Sequence, residues 1–202
     1  MSFRQYPILS DAPWQMSYGE RAALTGLLAT LRPELSVEIG RAEGGSLRCL
    51  AAYSTDVVSF DLVESDVVMH GVWTYVGDSH VQLPKFLADA VAADRTVDFV
   101  LVDGDHTTEG VRQDIEDLLA SPAIRHTVIV AHDSLNPEVR AGLTAVDYEA
   151  AGAWIDLDFV PGCVVADTRQ RWRGLALIVV DATGEFHGED TALVDHAALI
   201  TN

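Results

Sequence analysis

Ser36-Val37-Glu38-Ile39-Gly40-Arg41-Ala42-Glu43-Gly44-Gly45-Ser46 opens the stretch that decides the fold, and Val57-Val58-Ser59-Phe60-Asp61 closes it. A short apolar run ends in glycine. A helix-forming segment, Gly44 to Tyr53, follows, and a second apolar run ends on a carboxylate. Glycines at the turn allow a tight bend and a close approach by a ligand. Asp61 comes about 20 residues after Gly40, where a strand-end carboxylate can accept two hydrogen bonds from a ribose diol. Residues 36–62 therefore read as a cradle for the adenosine end of a cofactor; the bland alternative is a turn followed by a surface aspartate. The spacing is not the dinucleotide fingerprint, which needs a glycine two residues after Gly40, where this chain has Ala42.

The pattern continues outward on both sides. Ala22, Leu24, Leu27, Leu28 and Leu31 recur at helical spacing, which predicts a helix over Tyr18 to Leu31, closed by Arg32-Pro33. Further strands are predicted at Val72 to Val76, Val97 to Val102 and His126 to Ala131, and helices at Gln82 to Ala92, Thr108 to Ala120 and Glu138 to Tyr148. Trp154 to Val160 and Gly174 to Val180 read as a closing antiparallel pair. Strands alternating with helices predict one α/β domain with a doubly wound, mostly parallel sheet. Its parts are an N-terminal helical segment at 1–34, a core at 35–182 and a tail at 183–202. In such sheets ligands bind outside the carboxyl ends of the strands, so those ends carry the chemistry.

Asp103-Gly104-Asp105-His106 ends the fourth strand, and His132-Asp133-Ser134 ends the fifth. Adjacent strand tips would bring Asp103, His106, His132 and Asp133 to one mouth. Carboxylates and imidazoles there can hold a divalent metal or supply a general base. Asp105 or Thr107 can also serve simply as a helix cap. Gly77-Asp78-Ser79 follows the third strand; its side chains suit an adenine amine, or an Asx-type turn into the next helix.

The net charge of −18, with Lys85 the only lysine, repels phosphate backbones and argues against a nucleic-acid partner. The apolar runs are far shorter than the roughly 20 residues of a membrane helix. The first residues carry no signal-peptide pattern, so a cytoplasmic location is expected. Cys49 and Cys163 lack metal-type spacing and read as reduced thiols.

Taken in order, these motifs resemble the class I S-adenosylmethionine-dependent methyltransferases, and within them a small O-methyltransferase-like branch whose strand ends in Val-Asp-Gly-Asp-His. The resemblance covers about residues 35–180 and is most specific at Val102-Asp103-Gly104-Asp105-His106-Thr107-Thr108-Glu109-Gly110-Val111, with Asp114 a helical turn on. It implies a Rossmann-like seven-stranded sheet with an antiparallel last strand. It implies that Glu38, Gly40 and Gly45, with Gly44 and Ser46 of the same turn and Asp103, contact S-adenosylmethionine, that Asp61 binds the ribose, and that Asp78 and Ser79 bind the adenine. It further implies Asp103 and Asp133 as metal ligands, joined here by His132, with His106 the first choice of base and His132 the second.

Two departures stand out. His132 occupies a position where metal-using relatives carry an acid, which turns the site away from magnesium toward a softer ion. Pro122-Ala123-Ile124-Arg125-His126 replaces a glycine pair before the fifth strand. The resulting expectation is O-methylation of a small-molecule acceptor such as a sugar, a phenol or a natural product. An NAD-dependent oxidoreductase and a non-catalytic cofactor-binding partner are the alternatives. Trp14, Trp73, Trp154 and Trp172 are candidates for an acceptor pocket; about 35 residues precede the first strand, so a small lid is expected, and with it a homo-oligomer that completes the site.

Overall fold

The computed structural model describes residues 13–64, 68–164, 167 and 169–183. The tail expected at 183–202 lies outside them except for its first residue. Helix α1 (Tyr18–Leu31) starts at a capping box: Ser17 Oγ accepts the Glu20 amide, and the Glu20 carboxylate accepts the Ser17 amide. It stops where Arg32 turns left-handed before Pro33.

The sheet is built from β1 (Leu35–Ile39), β2 (Asp56–Asp61), β3 (Val72–Val76), β4 (Phe99–Val102), β5 (His126–His132), β6 (Ala153–Val160) and β9 (Leu175–Asp181). Their order is β3-β2-β1-β4-β5-β9-β6. β9 runs antiparallel to both β5 and β6, while β3 to β5 all pair in parallel. The predicted seven-stranded, mostly parallel sheet is therefore present, with the last described strand inserted beside the edge. A separate ribbon joins β7 (Cys163–Val164) to β8 (Arg171–Trp172).

Successive strand residues face opposite sides, and the sheet uses both. Leu35, Val37 and Ile39 of β1 pack under α3 (Ser79–Ala92), α4 (Thr108–Leu119) and α5 (Pro137–Thr144) through Leu83, Leu87, Val111, Ile115 and Leu143. Phe99 and Leu101 face the other way, onto Leu24 and Leu28 of α1 and Leu47 and Leu50 of α2 (Gly45–Tyr53). This makes a three-layer sandwich. Two boundaries differ by three residues or more from the sequence reading. Helix α3 begins at Ser79, earlier than expected, because Asp78 caps it. Helix α5 ends at Thr144 and does not continue to Tyr148, whose hydroxyl turns back to donate to the Leu143 carbonyl.

The order of strands reverses between β1 and β4, and their carboxyl ends abut. Gly40, at φ +84°, sits so close to β4 that a Cβ there would lie 2.1 Å from the Asp103 carbonyl oxygen. Only glycine permits this approach.

Candidate active site

The turn after β1 is braced from below and from one side. Glu38 is fully buried and accepts hydrogen bonds from Ser46 Oγ (2.6 Å) and Ser59 Oγ (2.8 Å). Burial pushes its carboxyl up to about 7, against the pull of those two hydroxyls. Glu38 and Ser46, both expected at the cofactor, thus bind each other beneath the turn. Gly44 adopts φ +78° and starts α2, and Gly45 packs against the Pro13 carbonyl.

Asp61 Oδ2 accepts the amides of Arg41 (2.9 Å) and Ala42 (3.0 Å), and its Oδ1 accepts the amide of Val63. The carboxylate expected at the ribose therefore also pins the turn. Arg41 is almost completely buried and lies across the tips of β2 and β3, donating to the carbonyls of Val63 (2.6 Å) and Tyr75 (3.4 Å). Nothing in the sequence pattern marks an arginine of this turn as buried. Asp78 caps α3 through the His80 amide, and Ser79 Oγ donates to Asp114 Oδ1 (3.0 Å). Asp114 is fully buried; burial raises its pKa to about 6, and His80 stands 3.3 Å away. Ser79 is thereby fixed from α4.

At the tips of β4 and β5 the four predicted groups do converge. Asp103 Oδ1 lies 2.9 Å from His132 Nδ1 and 3.2 Å from His106 Nε2. Asp133 Oδ2 lies 3.7 Å from His106 Nε2, and its Oδ1 accepts the Arg173 amide. His132 is buried, and its Nε2 faces Glu20 Oε1 at 3.4 Å. Burial opposes a charge on this ring, but the contacts with Asp103 and Glu20 outweigh it and raise its pKa to about 10. A protonated ring has no lone pair for a metal or for a substrate proton. His132, read from the sequence as second base and as metal ligand, is favoured in that charged form by Asp103 and Glu20. The donor set that converges within 4.8 Å among the described residues is Asp103, His106 and Asp133.

Glu20 is the functional neighbour that sequence reasoning missed. The Ser17-to-Glu20 spacing announces a capping box, but not that the same carboxylate reaches His132 and accepts the Gly174 amide at 2.7 Å. Burial works against its charge; His132 and Ser17 prevail and hold it down at about 2.

His106 differs from His132 in being about one-third exposed. Its hydrogen bond to Asp103 raises its pKa, more than partial burial lowers it. Two clefts open at this ring. One, of about 240 Å³, runs from Trp14 and Met16 along Gly40, Ser46 and Asp103 to His106. The other, of about 600 Å³, runs from His106 to Asn136, Arg171 and Trp172. His106 is the only described residue common to both linings. Trp14 and Trp172 thus stand at the clefts, while Trp73 and Trp154 lie on the edge strands β3 and β6.

Residues 37–134 match the model of a family described as a methyltransferase domain. No curated protein matches the chain by sequence. Among solved structures, an O-methyltransferase from Bacillus cereus in complex with SAH is similar over 88% of this chain and 88% of its own, at 16% identity and a TM-score of 0.56. A candidate O-methyltransferase from Klebsiella pneumoniae is similar over 85% of this chain and 84% of its own, at 16% identity and a TM-score of 0.57. The MycE methyltransferase of the mycinamycin biosynthetic pathway, in complex with Mg and SAH, is similar at 20% identity and a TM-score of 0.50. That likeness covers 63% of this chain and only 35% of the MycE chain. These similarities establish a Rossmann-like fold shared with those proteins. No helix among the described residues is long and apolar enough to cross a membrane.

Proposed function

We propose that this chain is an S-adenosylmethionine-dependent methyltransferase acting on a hydroxyl of a small molecule, with His106 as the general base. The observation that carries the reading is the meeting of two clefts at His106. One follows the glycine turn, as a cofactor's methionine end would; the other is open to a second ligand. Asp103 and Glu43 on the first cleft suit the positive charges of a sulfonium and an ammonium group. Asp61, Asp78 and Ser79 mark the adenosine side, where a ligand has to displace or stack on the Arg41 guanidinium.

Bound there, S-adenosylmethionine supplies a methyl group activated by the sulfonium charge. The chain's own residues do the rest. The clefts align donor and acceptor, which is largely an entropic gain. Nδ1 of His106, the ring nitrogen that Asp103 does not hold, takes the acceptor's hydroxyl proton, since a neutral alcohol is a poor nucleophile. Asp103 orients that ring and favours the imidazolium it becomes. His132, itself braced by Glu20, holds Asp103 from behind.

Asp103, His106 and Asp133 also offer two oxygens and a nitrogen to a divalent ion. The His132 charge, 2.9 Å from Asp103 and 3.8 Å from Asp133, opposes a dication at that point. Transfer of labelled methyl from S-adenosylmethionine to a panel of sugars and phenols tests the reading. Activity is expected to persist in excess chelator. Activity lost in chelator and restored by a metal would move His106 from base to ligand, and no transfer to any acceptor would count against O-methylation.

A further inference from the structure

The wider cleft has a chemical character that the methyl-transfer reading does not use. Most arginines of this acidic chain have partners: Arg95, Arg112 and Arg140 pair with carboxylates, and Arg21, Arg32, Arg41 and Arg125 donate to backbone carbonyls. Arg169 and Arg171, like Arg48 and Arg173, have no side-chain partner among the described residues, and the first two line the cleft that opens at His106. A chain with a net charge of −18 has carboxylates to spare, yet leaves this pair of guanidinium groups unneutralised. Two carboxylates share the lining. Asp105 is spent on the amide and hydroxyl of Thr107, and Glu138 stands in the first turn of α5, where the helix terminus offsets its charge. Trp172 supplies an aromatic wall, its ring centroid 6.3 Å from that of His106. The cleft's volume of about 600 Å³ lies within the range of small-molecule sites.

We infer that this cleft is the acceptor site, and that the acceptor is a ring-bearing hydroxyl compound carrying a carboxylate or phosphate. The anion sits at Arg169 and Arg171 and the ring against Trp172, which presents the hydroxyl to His106. Guanidinium groups match carboxylate and phosphate oxygens with paired hydrogen bonds, so they select for the anion as well as attract it. The inference rests on the methyl-transfer reading, but its test does not need turnover.

Calorimetry on the full chain, saturated with S-adenosylhomocysteine, would compare 3,4-dihydroxybenzoate with catechol, and uridine diphosphate glucose with methyl glucoside. At least one anionic probe is expected to bind about tenfold or more tighter than its neutral counterpart, a difference of about 1.4 kcal/mol. The benzoate arm reports a carboxylate and the nucleotide-sugar arm a phosphate. The double variant Arg169→Gln, Arg171→Gln is expected to erase that advantage and leave the neutral probes unaffected. Three outcomes overturn the inference: neutral probes that bind as tightly as both anions, an advantage that survives the double variant, or no anion binding below about 10 mM. Failure of S-adenosylhomocysteine itself to bind, seen in its own titration, would instead remove the methyl-transfer reading, and the anion comparison could still be made without it.

Discussion

His106→Ala is expected to lower kcat by about 10²-fold or more while leaving the affinity for S-adenosylmethionine nearly intact, the loss typical of a missing general base. The imidazole stands where the two clefts meet and is held by Asp103 at 3.2 Å. Because that hydrogen bond raises the His106 pKa, the free base forms only as pH climbs through a value above the ordinary 6.5. The wild-type rate should therefore rise with pH along a limb placed above 6.5. His106→Ala should flatten that limb. Asp103→Asn removes the main cause of the raised pKa and should shift the limb to lower pH. A His106→Ala variant with unchanged turnover would exclude the ring from the chemistry. Loss of rate with the limb still in place would make it a positioning residue.

Glu20→Ala should cost about 3–5 kcal/mol of unfolding free energy, the range for breaking a buried ion pair from one side. Glu20 is buried, and its removal strands the charged His132 ring and leaves the Gly174 amide without its acceptor. The pH dependence has a definite sign. Glu20 is held down at about 2 from an ordinary 4.5, so its contribution is complete above 4.5 and is lost as pH falls toward 2. His132 is raised from 6.5 to about 10, so its contribution is complete below 6.5 and is lost as pH rises through 10. Denaturant unfolding between pH 3 and 9 should show both limbs in the wild type, and the acid limb should be shallower in Glu20→Ala, where the lowered Asp103 carboxyl still contributes. Equal stability of the two proteins at pH 6 would contradict the pair. Glu20→Gln, which can still accept the Gly174 amide, should fall between them.

Sequence reasoning succeeded where chemistry follows from local order. The apolar runs ending at Gly40, Asp61, Asp103 and His132 marked the strand tips, because a parallel sheet buried on both faces demands such runs and places its polar residues at their ends. The convergence of Asp103, His106 and Asp133 followed from β4 and β5 being neighbours. Contacts made by distant segments were not legible. Glu20 and Gly174 are 154 residues apart, and no spacing rule links them. His132 takes its raised pKa from Asp103 and Glu20, so a histidine that looks ordinary in the sequence is one whose charged form the fold favours. Arg41 reads as a surface charge in a glycine-rich turn; only the tips of β2 and β3, with their free carbonyls, make a place to bury it. The unpaired Arg169 and Arg171 likewise gain meaning only once the β7–β8 ribbon sets them beside His106.

The central claim is that the turn after β1 and the cleft leading from it hold S-adenosylmethionine. Titrating the full chain with S-adenosylmethionine and, separately, with NAD in a calorimeter tests this most directly. The predicted result is saturable binding of S-adenosylmethionine, one per chain, with no heat from NAD. Binding of NAD with none of S-adenosylmethionine would contradict it.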